Sequence, residues 1–412
     1  MRILLLNEYF PPDTAATALM AATVVDELAR HHQVTVLCGR PSYDPFERHP
    51  YYLLRRERHG SFVIERVGSS TFPRFRMRQR IWNYLSYISF AIPRALFIKT
   101  DVVVAMTDPP FQGIVGAFVA WFKRKPFVYN IRDLYPEMAV IGNIVQSSWW
   151  VRVWERLHLW ALRRATCVIV LGDDTRERIV AKGLNPARIA VVRDGARIVQ
   201  PVTSQDHPVT RKIRRDLPFV LLHAGNLGFY GAWDTIIKAA KLLDSENVGF
   251  VFVGEGALRS QLESACQGYS KVQFLPFRPP EEVPYVLAAG DLHLVTIKRG
   301  LEGVVVPSKF YSILAAGRPV LVLASEEADA ARVVRRLGCG VVADPDDPVA
   351  LAVAVRALAR DPERVAKMGE RALDAAREFA RDKELQLFRE IVEDVAGTRV
   401  KPVPALSERQ AL

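Results

Sequence analysis

Short, mostly apolar runs recur along this chain, and nearly every one is followed by a helix-length segment whose apolar residues are spaced three and four apart. RILLL, QVTVLC, FVIERV, DVVVAM, FVYNI, TCVIVL and IAVV stand in the first half; FVLLHA, VGFVFV, VQFLPF, DLHLVTI, PVLVLA and GVVA stand in the second. Strands that are apolar on both faces belong to a parallel sheet with helices on each side, since a sheet with one wet face would alternate. The rhythm breaks once, at residues 198–217, where PVTSQDHPVTRKIRRD is rich in Pro, Ser, Gln and charge and reads as a linker. The chain is therefore expected to be α/β, with two Rossmann-like doubly wound domains, residues 1–197 and 218–380, facing each other across a central cleft. Further helices close the chain. The last, residues 381–396, is expected to pack back toward the first domain, and residues 398–412 read as a disordered tail. In such sheets ligands bind at the carboxyl ends of the strands.

Composition narrows the class. Half of the 412 residues are hydrophobic and 25% are charged, enough for two or three cored domains and far from a disordered chain. The four cysteines, Cys38, Cys167, Cys266 and Cys339, are scattered and sit mostly in apolar runs. They read as small core residues of a reducing cytoplasm, with no disulfide or metal role. No signal peptide precedes RILLL, and no run approaches the roughly 18 apolar residues of a membrane span. The expected location is cytoplasmic, peripheral on the inner face of the plasma membrane. Net charge is +11, and all of it is N-terminal: residues 1–200 hold 28 Lys and Arg against 17 Asp and Glu, whereas the remainder holds 28 of each. Arg74, Arg76, Arg78 and Arg80 alternate just before Trp82, Tyr84, Tyr87 and Phe90, a basic and aromatic segment of the kind that attracts anionic lipid and inserts amphipathic rings. The plain alternative is a solvated basic face over a core helix, which Pro93 would cut short. No nucleic-acid-binding motif accompanies the charge, so no nucleic-acid partner is expected.

The most informative segment is GLEGVVVPSKFYSILAAGRPVLV, Gly300 to Val322. An acidic, glycine-flanked loop with Glu302 leads through Val306 to a helix expected to start at Pro307-Ser308-Lys309, with Ser308 able to cap it. Free amides there, beside Lys309 and a carboxylate, would suit a sugar diphosphate: donors for phosphate and an acid for hydroxyls. Two strand ends carry glycines. The amides of Gly225-Asn226-Leu227-Gly228 can approach a phosphate, and Gly254-Glu255-Gly256 can face a ribose or base, or be only a turn. Neither fits GxGxxG or the P-loop pattern, which removes support for a dehydrogenase or NTPase. In the first domain, Pro11 to Ala16 make a stiff turn into a helix start, where Thr14, Ala15 and Ala16 can receive an acceptor hydroxyl or a phosphate, or where Asp13 or Thr14 simply caps. Arg132-Asp133-Leu134-Tyr135-Pro136-Glu137 puts an arginine and two carboxylates beyond a buried strand, with an internal pairing of Arg132 to Asp133 or Glu137 as the structural alternative. Asp344, Asp346 and Asp347 read as a helix cap rather than a metal site. His223 and His293, near strand ends, read as satisfied core residues.

In their order along the chain, NEYFPPDTAATA, RDLYPE, VIVLGDDTRERIVAKGL with VVRDG, HAGNLG, VGEG and EGVVVPSKFYSILAAGRPV resemble the family 4 retaining glycosyltransferases of GT-B fold, and among them the WbuB-like and colanic-acid-type transferases of bacterial surface polysaccharides. The resemblance implies transfer of a sugar, expected to be an N-acetylated amino or deoxyamino sugar, from a UDP-linked donor with anomeric configuration retained. The acceptor would be lipid-linked or a saccharide, as in lipopolysaccharide or O-antigen synthesis. No metal and no cofactor beyond the nucleotide sugar is expected.

The implied roles fall on particular residues. Asp133, and secondarily Glu137, would orient or deprotonate the acceptor hydroxyl, with Arg132 beside them; Glu302 would bind donor hydroxyls. Lys298, Lys309, the Gly228 amide and the Ser308 turn would stabilise the diphosphate, and Glu255 or Arg278 would meet base or ribose. The chain also departs from the family pattern. The second motif glutamate is Ser312 here and strict spacing puts the first at Val304, so Glu302 is the candidate replacement. Asn226 replaces the usual arginine after the HAGN strand, and no lysine follows before Lys238, so Lys298, Arg299 and Lys309 are the candidates to substitute. Arg132-Asp133 matches the family's HD pair, and Ala15-Ala16-Thr17 its two-glycine acceptor loop. The alternatives are a GT-B UDP-sugar epimerase, which would convert donor without acceptor, and a basic membrane- or nucleic-acid-binding protein.

Overall fold

The computed structural model describes residues 1–43, 50–73, 76–142, 145–146, 148–198, 202 and 206–397; Arg74 and the tail at 398–412 lie outside the described residues. The chain divides into two compact units, one of Met1–Val140, Val145–Val192 and the chain from Glu384, the other of Ile141–Ile144 and Arg193–Lys383. The first unit holds β1 (Arg2–Leu6), α1 (Ala16–Ala29), β2 (Gln33–Cys38), β3 (Leu54–His59), β4 (Phe62–Val67), α2 (Met77–Phe97), β5 (Val102–Ala105), α3 (Gln112–Lys123), β6 (Phe127–Ile131), α4 (Glu137–Ile141), α5 (Trp149–Arg164), β7 (Cys167–Val170), α6 (Asp173–Ala181) and β8 (Ile189–Val191). Its sheet runs β3-β4-β2-β1-β5-β6-β7-β8, parallel except for β3, which pairs antiparallel with β4. β3, LRRERH, was not readable from pattern, because almost all of it is exposed and charges occupy both faces. Such charges blunt a sheet edge against further pairing.

The second unit holds α7 (Pro208–Arg214), β9 (Phe219–Ala224), α8 (Trp233–Leu242), β10 (Val248–Val253), α9 (Arg259–Ala265), β11 (Val272–Leu275), α10 (Val283–Ala289), β12 (Leu292–Thr296), α11 (Lys309–Ala315), β13 (Val320–Leu323), α12 (Asp329–Leu337), β14 (Gly340–Ala343), α13 (Pro348–Ala359) and α14 (Pro362–Glu378), with α15 (Arg381–Ala396) carrying the chain back into the first unit. Its six strands lie β11-β10-β9-β12-β13-β14, all parallel. Along α15, Phe388, Ile391, Val392 and Val395 share a core with Leu5, Val25, Val36 and Val104.

Two expectations change. The stretch expected as a linker contains α7, started by Pro208 and capped by the His207 side chain, with Val209 and Ile213 buried against Val220, Leu222 and Val286. Two apolar positions in a run of charge were too sparse to show a helical period. The division between units falls at Val192–Arg193, since Arg193 forms a buried bidentate pair with Asp329 at 2.7 and 3.3 Å, and a Cβ on Gly195 would lie 2.7 Å from the Arg381 backbone.

Candidate functional site

At the carboxyl ends of β9 and β12, the turn before α11 and the segment Tyr230–Trp233 enclose a cavity of about 220 Å³. Gly225, Asn226, Gly228, Val306, Pro307, Ser308 and Lys309, all expected from sequence, line it together. The Lys309 ammonium lies 2.8 and 2.9 Å from the two ring nitrogens of His223, a residue only 2% exposed. Lys309 keeps some solvent contact at the cavity, but burial of its ammonium pulls its pKa down to about 7. Burial, and then the charge of Lys309, hold His223 well below its ordinary value, so the imidazole is neutral and only one of its two ring nitrogens can accept from Lys309. Among the described residues, no carboxylate forms an ion pair with Lys309.

Ser308 does not cap α11. Its backbone already has helical angles (φ −55°, ψ −28°), the side chain is exposed, and no cap hydrogen bond forms. A helix of seven residues has only a small dipole at its start, so the polar character of this wall comes from the Lys309 side chain and the glycine loop.

The loop's shape explains its glycines. Gly225 has φ +148°, open to glycine alone, and lies against the Lys309 side chain, with 3.4 Å from its would-be Cβ to Cδ. Gly254 (φ +154°) and Gly256 let the next loop lie directly on this one: a Cβ at Gly254 would fall 1.9 Å from the Gly225 carbonyl oxygen, and one at Gly256 2.4 Å from the Leu227 backbone. The Leu227 amide donates to the Glu255 carbonyl at 2.8 Å, and Trp233 Nε1 donates to the Gly228 carbonyl at 2.6 Å. The VGEG glycines therefore brace the phosphate-loop candidate from behind.

Three expected donor residues do not line the cavity. The Glu255 carboxylate is 59% exposed and pairs with Arg259 at 2.5 Å. Lys298 is exposed, and its amide donates to the Tyr230 carbonyl at 2.7 Å. Glu302 is buried, with Oε2 accepting from the Gly300 amide at 2.7 Å, because Gly300 (φ +89°) and Gly303 (φ +67°) curl the loop back on itself. Arg278 faces Glu282 at 3.6 Å. Arg299 is held by Asp344 at 2.6 Å and by Asp346, while Asp347 caps α13 through the Val349 and Ala350 amides, both 2.9 Å. No group of three His, Cys, Asp or Glu residues able to hold a metal ion occurs among the described residues. The reading from sequence missed His223, Tyr230, Trp233 and Thr296 as lining residues. A histidine inside the otherwise apolar FVLLHA was the available signal.

In the first unit, neither Asp13 nor Thr14 caps α1, whose N-cap is Ala15 and has no side-chain bond. Asp13 is instead buried and accepts from the Ser42 and Tyr43 amides at 2.8 and 2.7 Å, with burial raising its pKa. Ala15 packs beside Tyr9 and Ala18, Thr14 and Ala16 are exposed, and Thr17 donates to Asp108, a carboxylate that went unnoticed after β5. Beyond β6, Arg132 is buried and Asp133 half-buried; burial first, then the charge of Asp133, pushes the Tyr135 phenol up. Glu137 does not pair with Arg132. It pairs with Lys182, which also reaches Glu155 at 3.2 Å.

The expected lipid-facing segment forms α2, which runs on through Pro93 to Phe97. Pro93 and Ser89 are both exposed, so water can take the bond that proline cannot make. Arg76, Arg78 and Trp82 are exposed, Trp82 at 63%, alongside Met77, Ile81 and Leu85. Arg80, Tyr84 and Tyr87 differ from expectation: Arg80 is half-buried and donates to the Tyr84 hydroxyl at 2.5 Å, while both tyrosines turn into the core. α3 packs against both α2 and α5, and its end exposes Trp121 and Phe122. α5 exposes Trp149, Trp150, Val153 and Leu157 among the exposed Arg152, Arg156, Arg163 and Arg164. No helix among the described residues is long and apolar enough to cross a membrane.

A sequence profile of the Glycosyl transferase 4-like domain matches residues 16–195, and one of Glycosyl transferases group 1 matches residues 218–361. The colanic acid biosynthesis glycosyl transferase WcaI of Escherichia coli K12 is 30% identical, over 96% of this chain and all of that protein. The glycosyltransferase WbjE of Pseudomonas aeruginosa is 29% identical over 62% of this chain, a match that spans 65% of WbjE. Among solved structures, Anabaena Alr3699/HepE in complex with UDP superposes with a TM-score of 0.67 at 19% identity, over 96% of this chain and all of that one. Two parallel, Rossmann-like sheets with these likenesses show that the chain belongs to the family 4 glycosyltransferases of GT-B fold, within the surface-polysaccharide branch.

Proposed function

We propose that the protein is a retaining, metal-independent hexosyltransferase that takes a sugar from UDP, an N-acetylated amino or deoxyamino sugar by its resemblance, and passes it to a lipid-linked or saccharide acceptor. The observation that carries this reading is the cavity of the second unit, a glycine-walled space with Lys309 in its lining and no carboxylate paired to that lysine. A diphosphate supplies the missing counter-charge. As the sugar leaves, negative charge grows on the diphosphate, and Lys309 with the amides of the Gly225–Gly228 loop stabilises it without proton transfer to the leaving oxygen. The likeness to HepE, solved with UDP, supports uridine over other bases. In the first unit, Asp133 is the group assigned to the acceptor hydroxyl, with Arg132 beside it. Glu137, engaged by Lys182, serves the fold.

Thermal melting with UDP, UDP-sugars, ADP and GDP tests the donor: the uridine compounds raise the melting temperature, and no shift with any of them would contradict the reading. Both curated relatives are transferases, which gives an epimerase no support. The exposed apolar and basic side chains of α2, α3 and α5 are proposed to rest on an anionic bilayer surface. Cosedimentation with anionic but not zwitterionic vesicles, weakened by salt and absent with DNA, is the expected result.

A further inference from the structure

Buried lysines ordinarily face a carboxylate; Lys309 faces a histidine. Its Nζ sits 2.8 and 2.9 Å from the His223 ring nitrogens, and His223 is fixed by the Leu294 carbonyl at 3.3 Å from Nδ1 and by the Trp233 ring edge-on at 5.0 Å. The titratable groups around this pair are few. His293 on β12 is buried, with Nε2 2.9 Å from the Leu287 carbonyl oxygen, and Arg318, beyond α11, lies near it. The carboxylates of the neighbouring loops are turned elsewhere, Glu302 to the Gly300 amide and Glu255 to Arg259. Among the described residues no carboxylate pairs with an ammonium at Lys309, and burial keeps both nearby imidazoles, His223 and His293, neutral. A full charge there in the empty protein is therefore costly, consistent with a Lys309 pKa drawn down to about 7.

Resting on the reading of this cavity as a nucleoside diphosphate site, we propose that the Lys309–His223 pair takes up a proton from solvent when the diphosphate binds and returns it when the diphosphate leaves. The cavity is thus cationic when occupied and close to neutral when empty. The proton goes to the lone pair of Nζ, no covalent bond changes, and His223 acts as a positioning residue that holds the amine toward the ligand by accepting its hydrogen bond. Such coupling gives the site affinity for a dianion without the standing cost of a bare buried charge, and it makes UDP affinity depend on pH in a way a permanent cation does not.

Calorimetric titration of the full-length protein with UDP, in buffers of low and high ionisation enthalpy, counts the protons exchanged. At about pH 8, where the terminal phosphate of free UDP is already ionised, the expected uptake is ~one proton per UDP, and it falls by about half near pH 7, where Lys309 already holds its proton in part of the empty protein. Lys309→Arg supplies a cation that cannot lose its proton, so UDP should bind that variant with no uptake at either pH. Wild-type binding whose enthalpy is the same in both buffers at about pH 8 would overturn the proposal, as would undiminished uptake in Lys309→Arg. Failure of UDP to bind wild type at all removes the nucleotide reading itself, and this proposal with it.

Discussion

The carboxyl edges of the two sheets handle charge in different ways. In the first unit the acids come with partners of their own: Asp13 has the Ser42 and Tyr43 amides, Asp108 has Thr17, and Glu137 has Lys182. In the second, the cavity holds Lys309 against a neutral histidine and no carboxylate. A buried charge with partners has its desolvation offset, whereas one without them is a standing cost unless a ligand brings the counter-charge. The contrast separates acids already paired within the first unit from a lysine in the second that meets a histidine and no carboxylate. It also marks Asp133, half-buried next to Arg132 just beyond β6, as the acid to test for chemistry.

Asp133→Asn is expected to lower turnover by ~10²–10⁴-fold, the range of a lost general base or orienting group, while Glu137→Gln changes it only slightly. Equal losses in steady-state rates would erase the distinction between the two acids. Asp329→Ala strands Arg193 in a site where the pair is nearly inaccessible, at a cost of ~3–5 kcal/mol in urea unfolding, with UDP affinity unchanged. A change in UDP affinity instead would show that structural and ligand-directed charges are not separable in the second unit. Gly254→Ala forces a side chain onto the Gly225 carbonyl and should cost ~1–3 kcal/mol in stability while also weakening UDP binding. Lost stability with intact UDP binding would uncouple the two loops.

Stability also depends on pH. Folding lowers the Lys309 pKa from 10.5 to about 7, so between those values the unfolded chain binds the extra proton and stability of the ligand-free protein rises with pH. Lys309→Met should flatten that rise in melting profiles. A wild-type profile that is already flat over the same window contradicts the buried, neutral amine.

Apart from β3, both sheets were legible from their strand runs, because short apolar runs bounded by turns and alternating with helix-length segments mark strands buried on two faces. The glycine loop was legible for a similar reason, since Gly225 and Gly254 adopt φ values that exclude other residues. Partners distant in sequence were not. Nothing in RDLYPE announces that Lys182 engages Glu137, and nothing in GLEG announces that Glu302 closes on the Gly300 amide. β3 and α7 escaped because exposed charge conceals their periods. α5 could have been recognised as a second lipid-facing candidate, since Trp149, Val153 and Leu157 recur every fourth residue among arginines.

In the proposed function the Lys309 cavity holds the diphosphate of the donor. Titration of UDP into wild type and Lys309→Met, with circular dichroism confirming that both are folded, tests it most directly. The expected result is binding to wild type and a loss of at least ~100-fold in the variant, the scale of a charge-assisted contact removed from a buried site. Equal UDP affinity in the two proteins would contradict it.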